Sequence, residues 1–171
     1  MSDNNLKYLI NLDRNVRRKN VIIFGVPEED DLTIDGVSAN TDQKKCDLIM
    51  GYIGVPAVMD EMNELFRLGR AITPGKPRPI KFICSTSSAA SSILGVSKKL
   101  KDLPDQTVYV KPDKTKSEIE EFKRLGEHKK KLEADYPTPE NARTKRVILE
   151  KGKLTVDGTE VDEYKSTQSL F

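Results

Sequence analysis

An α+β fold is predicted: a four-stranded antiparallel sheet with two helices on one face, followed by a small C-terminal α/β appendage. Three observations predict it. Residues 17–30 read R-R-K-N-V-I-I-F-G-V-P-E-E-D, a basic cluster that runs into a β-branched apolar segment and then a Gly-Val-Pro stop. Between residues 20 and 112, short strand-like segments alternate with two stretches of helical periodicity. Beyond Pro112 the chain turns into a long, highly charged stretch with sparse apolar positions.

The elements follow in order. Residues 6–16 suit a short helix, with Leu9, Leu12 and Val16 at coiled-coil-like spacing but less than two heptads of it. Residues 21–26 are too few to span a membrane and read as a buried strand, which Pro27 ends because it has no N–H for a ladder. Residues 28–40 are acidic and polar and read as a loop. Thr41 can cap a helix running to about Gly54, with Cys46, Ile49, Met50 and Ile53 on one face. Residues 63–69 suit a second strand and residues 80–85 a third, joined by a Gly/Pro-rich basic loop at 70–79. In the third strand Ile80, Phe82 and Cys84 share one face and Lys81 and Ile83 the other. A second helix is expected over residues 88–103, and a fourth strand over 107–111 with Val108 and Val110 facing together.

This β-α-β-β-α-β order is the split, ferredoxin-like arrangement, in which helices cover one sheet face and the other is left to solvent or a ligand. RNA-recognition motifs use that open face for single strands. The predicted organisation is a stub helix over residues 1–19, an RNA-recognition-motif-like domain over 20–112, a helix-plus-hairpin domain over 113–161 and a tail over 162–171. In the third segment residues 114–134 form the helix, and residues 146–150 and 153–156 pair across Lys151-Gly152, with a further turn at Asp157-Gly158.

Composition narrows the function. With 36% apolar and 33% charged residues, the 171-residue chain has a modest core and a heavily ionised surface. A net charge of +2 is too small to argue for a polyanionic partner, so the distribution of charge must carry that case. Cys46 and Cys84 stand among apolar neighbours and suit reduced, buried thiols of a cytoplasmic or nuclear protein. The polar N-terminus lacks the apolar segment of a signal peptide.

Three segments resemble the first-open-reading-frame proteins of LINE-type non-LTR retrotransposons, the transposase-22-like group. They are R-R-K-N-V-I-I-F-G-V-P-E at 17–28, F-R-L-G-R with K-P-R-P-I-K-F between residues 66 and 82, and V-Y-V-K-P-D-K-T at 108–115. A weaker fourth is G-K-L-T-V-D-G at 152–158. The resemblance implies RNA binding, packaging of an element's transcript into a ribonucleoprotein and nucleic-acid chaperoning, with no transposase reaction. It also implies a homotrimer where a coiled coil precedes the domain. Here only the stub at residues 6–16 represents that segment, and the spacing of zinc-knuckle cysteines is lacking.

Alternation places Ile22 and Phe24, Lys81 and Ile83, and Tyr109 and Lys111 on the open sheet face. The three aromatic rings usual on that face are not in view, so phosphate contact is expected to outweigh base stacking. Candidate phosphate ligands are Arg17, Arg18 and Lys19 before the first strand, Arg67 and Arg70 around the second, and Lys76 and Arg78 in the loop. Lys123 and Arg124 on the C-terminal helix and Arg143, Lys145 and Arg146 before the last hairpin complete the set. The resemblance directs the role first to Arg17, Arg18, Arg67 and Arg124. Lys129, Lys130 and Lys131 interleave with Glu127 and Glu133 at helical spacing and read as a solvated face.

An enzyme is not expected. His128 is the sole histidine and has no nucleophile at fixed spacing. The acidic run at residues 28–31 lacks calcium-loop spacing and is expected to keep phosphate off that rim; Gly25, Gly69 and Gly75 form no phosphate loop. No metal or cofactor is implied. The alternative is a protein-interaction module that uses the same sheet face or the long charged helix.

Overall fold

The structure is a computed structural model, and it describes residues 3–28, 30–70, 77–103, 107–137, 147–150 and 153–163. The chain is mixed α and β with antiparallel sheets, and it divides into two compact units, residues 8–113 and residues 114–171 with 1–7.

Helix α1 (Asp3–Arg17) extends beyond the predicted 6–16 and leaves Leu6, Leu9, Leu12 and Val16 exposed. Strand β1 (Asn20–Phe24) follows, with Val21 and Ile23 wholly buried in the core. The expected loop at 28–40 is instead partly a hairpin, β2 (Leu32–Ile34) with β3 (Val37–Ala39). Asp35 and Gly36 carry it, at φ 50 and φ 79, the two left-handed residues of the tight hairpin turn favoured by strand twist. The Asp-Gly pair between Thr33-Ile34 and Val37 was the signal in the sequence, hidden among acidic neighbours. Leu32 and Ile34 pack into the core.

Helix α2 (Asp42–Ile53) starts where Thr41 Oγ1 accepts from the Lys44 N–H and stops at Gly54 in the left-handed region, φ 87. Cys46, Ile49, Met50 and Ile53 are fully buried. Both cysteines are free and buried; desolvation, the largest influence, pushes the Cys46 thiol up to about 12 and the Cys84 thiol to about 11. A 3₁₀ turn (Pro56–Glu61) leads into β4 (Met62–Arg67), and β5 (Ile80–Cys84) returns along it. Helix α3 (Ser87–Val96) is shorter than predicted, because residues Ser97–Asp102 tighten into a 3₁₀ turn that still buries Leu100. Strand β6 (Tyr109–Pro112) closes the first unit.

The principal sheet runs β4-β5-β1-β6 with every neighbouring pair antiparallel. Val21, Ile23, Ile80, Phe82 and Cys84 join residues of α2 and α3 in one core, so the helices and the core occupy one side of this sheet.

In the second unit, α4 (Lys116–Asp135) opens with a capping box: Thr115 Oγ1 accepts from the Glu118 N–H and the Glu118 carboxylate accepts from the Thr115 N–H. Strands β7 (Val147–Glu150), β8 (Lys153–Val156) and β9 (Thr159–Glu163) form a three-stranded antiparallel sheet, where the sequence predicts a hairpin and a further turn at Asp157-Gly158 but no third strand. Asp157 at φ 50 and Gly158 at φ 83 make the turn that brings β9 back. Leu125, Val147 and Leu154 form its small core.

Candidate functional site

The sheet face away from the core assembles from residues that alternate with core positions. Ile22 is the Cα partner of Lys81 on β5 and of Lys111 on β6; Phe24 is the partner of Tyr109; Phe66 on β4 is the partner of Lys81. Residues paired directly across strands share a face, so Phe24, Phe66, Tyr109, Lys81 and Lys111 lie on one surface.

The Phe24 and Tyr109 rings stack, with centroids 4.8 Å apart and planes 7° from parallel. The Lys111 ammonium lies 5.0 Å from the Tyr109 ring centroid and 5.7 Å from that of Phe24, within cation–π range. Tyr109 and Phe66 are exposed. The face thus carries three aromatic residues, and the expectation that it lacked such a set is corrected. Phe66 escaped sequence reading because Leu65 and Phe66 are both apolar, and a slip of one residue exchanges the faces. Only pairing with β5 sets which of them points out. Ile22, expected to be open, is buried.

The basic candidates separate into three groups. Arg67 is the clearest correction: its side chain is only 7% exposed and all five guanidinium N–H groups are used. Nε and Nη2 donate to the two oxygens of Asp42 at 2.9 and 2.5 Å, Nη1 to the carbonyls of Val26 and Arg78 at 2.7 Å each, and Nη2 also to the Pro27 carbonyl at 2.8 Å. No donor is left for a phosphate. Arg124, 39% exposed, pairs with both oxygens of Glu121 and both of Asp162, and its pKa is raised by those bonds, Glu121 first. His128 Nδ1 shares the same Asp162 carboxylate at 2.7 Å.

Arg17 and Lys81 are engaged but reachable. Arg17 pairs with Asp13 and with Asp113, the bond to Asp13 contributing most to its raised pKa, and Lys81 pairs with Asp113 at 3.0 Å. Arg18, Lys19, Arg70, Lys111 and Lys123 are exposed and form no ion pair with a described residue. Lys76, Arg143, Lys145 and Arg146 lie outside the described residues.

The acidic loop after β1 is not a free rim. Arg78 grips Glu28 through its backbone N–H at 2.7 Å, through Nη2 at 2.7 Å and through Nε at 3.0 Å. Those bonds, the side-chain ones first, hold the Glu28 carboxyl down at about 2. From within, the wholly buried Lys45 donates its three ammonium protons to the carbonyls of Pro27, Glu28 and Asp30 at 2.9, 3.3 and 2.7 Å. Sequence reading passed over Lys45. Its signal was spacing: it stands four residues before Ile49 and eight before Ile53, inside the apolar stripe of α2.

Among the described residues, no group of three or more His, Cys, Asp or Glu side chains could hold a metal, and no helix is long and apolar enough to cross a membrane. Compared with known proteins, the chain matches no family model, and no curated protein matches it in sequence.

Proposed function

We propose that residues 8–113 bind single-stranded nucleic acid, RNA in the first instance, on the outer face of the four-stranded sheet. The observation that carries this is the stacked Phe24–Tyr109 pair with Lys111 against it, on the sheet face opposite the core. Rings offer bases a stacking surface whatever their sequence, and ammonium groups beside them meet the phosphates. Phe66 across the sheet extends the aromatic surface, and Arg18 and Lys19, which form no ion pair with a described residue, add charge where β1 begins.

The finer fold assignment belongs to the same proposal. The strand order β4-β5-β1-β6, with α2 between β1 and β4 and α3 between β5 and β6, supports a ferredoxin-like, RNA-recognition-type domain. The β2–β3 hairpin is an addition to that plan. In this reading the chain acts by binding, as the RNA-packaging protein of a LINE-type retroelement, within a ribonucleoprotein. That last step rests on the four sequence segments that resemble such proteins.

Fluorescence anisotropy with a labelled oligo-U across a salt series tests the reading. The Tyr109→Ala variant should bind more weakly by about 1 kcal/mol with the salt dependence unchanged, since stacking releases no counterions. Lys111→Ala should instead reduce the slope of log K against log salt by about 0.7, the amount for one phosphate on a single strand. Parental binding in Tyr109→Ala and Lys111→Ala alike would show that this face is not the interface.

A further inference from the structure

An anion site on the outer sheet face is already occupied, by the chain's own Asp113. This residue follows β6 and is 9% exposed. Its Oδ1 accepts from Arg17 Nη1 at 2.9 Å; its Oδ2 accepts from Asn20 Nδ2 at 3.0 Å and from Lys81 Nζ at 3.0 Å. The donors come from α1, β1 and β5, so three elements converge on one carboxylate. Two cations and an amide around a single anion are also the donor types that position phosphate oxygens on a strand.

The placement matters as much as the chemistry. Strands β5 and β6 flank β1, so the Lys81–Asp113 pair reaches across the central strand. There Ile22 stands between Lys81 and Lys111 in register, two residues from the Phe24–Tyr109 stack. Burial would raise the Asp113 carboxyl, but the bonds from Asn20 and Lys81 and the charges of Lys81 and Arg17 outweigh it, so it stays ionised at neutral pH. Arg17 is further neutralised by Asp13.

We propose that Asp113 is an internal occupant of a phosphate site, and that a backbone phosphate of a bound strand takes its place among Arg17, Asn20 and Lys81. This rests on the strand-binding function proposed above. Strand entry is then an exchange of one anion for another. The tethered carboxylate competes at high effective concentration, so it weakens loose, single-phosphate contacts more than a strand held by the aromatic rings as well.

The test is Asp113→Asn, which keeps the shape and removes the charge, read by anisotropy with oligo-U alongside the parent. Expected is binding at least roughly threefold tighter at low salt with little change in slope, because the parent neutralises the same phosphate once Asp113 is displaced. The gain should vanish when Lys81→Gln is added. A parent that binds while Asp113→Asn binds equally or less well would overturn the exchange and make Asp113 a fixed brace. A second measurement needs no variant: carbon NMR titration of the Asp113 carboxyl in the parent, with and without oligo-U. Release shows as titration that moves up towards the ordinary carboxylate range in the complex, and an unchanged depressed titration overturns it. A parent and an Asp113→Asn variant that both fail to bind would remove the strand-binding reading itself, and the exchange with it.

Discussion

Arg67 and Arg18 show how far two arginines of one chain can diverge. Both read from the sequence as phosphate ligands. Arg18 is exposed and forms no ion pair with a described residue, whereas Arg67 spends every donor inside the fold. Three of its five bonds go to backbone carbonyls, around the chain reversal after β1 and at Arg78, so its removal would strand buried acceptors as well as Asp42. Arg67→Ala should therefore cost about 3 kcal/mol of folding stability, the lower end for a broken buried pair because Asp42 is partly solvated. Arg18→Ala should stay within about 0.5 kcal/mol of the parent. Urea denaturation followed by circular dichroism measures both. If Arg67→Ala were as stable as the parent yet bound oligo-U poorly, Arg67 would return to the interface. Sequence could not separate the two because burial of a charge depends on which carbonyls the fold brings to it.

At the scale of elements, the end of β1 is fixed by one glycine. Gly25 has φ 79, and a Cβ built there would lie 2.3 Å from the Thr107 carbonyl oxygen, a backbone atom with little freedom to move. The close approach brings the start of β6 beside the end of β1, which is where Phe24 meets Tyr109. Gly25→Ala combines a left-handed penalty with a backbone clash, and a loss of about 2 kcal/mol or more is expected. Its thermal midpoint should fall clearly, and folded protein should show Tyr109 displaced, visible as a changed ring-current shift. A midpoint equal to the parent's would mean that β1 and β6 can part at Gly25 without loss of stability. The α2 boundaries, by contrast, were legible: Thr41 and Gly54 are local signals that act within one turn. The β2–β3 hairpin and β9 were not read because three- to five-residue strands carry too little alternation, and each depends on a two-residue turn to find its partner.

Across the whole molecule, two carboxylates tie distant parts of the chain together and make stability sensitive to acid. Glu28 is held by Arg78, and its carboxyl lies at about 2 against an ordinary 4.5. Asp113, bonded to Arg17, Asn20 and Lys81, is also lowered. Both groups ionise more readily in the folded chain, so the unfolded chain binds more protons in the acid range and stability rises with pH there. Their contribution is complete above about 4.5 and is lost as pH falls towards about 2. Thermal melts should show the midpoint falling through that window, and the gap between parent and Glu28→Gln should narrow as pH drops. A gap that stays constant from neutral pH down to pH of about 2 would mean that the Glu28–Arg78 contact does not stabilise the fold.

The sequence by itself pointed to the α+β class, helix α2 with its Thr41 cap, the long charged helix, the central strand and the inward set Ile80, Phe82 and Cys84. These follow from periodicity and capping, which act over a few neighbouring residues; the end of the central strand does not, since β1 stops at Phe24 before Gly25 rather than at Pro27. The sequence also put Phe24, Tyr109, Lys81 and Lys111 on one sheet face, because alternation is local too. Tertiary structure alone decided that Phe66 joins them, since register across β4 and β5 selects between Leu65 and Phe66. It alone decided that Arg67 and Lys45 face inward, and that Asp113 stands among Arg17, Asn20 and Lys81. A cation's partner is set by which distant carbonyls and carboxylates arrive within about 3 Å of it, the reach of a hydrogen bond. That distance is fixed by the packing of the sheet, not by spacing along the chain.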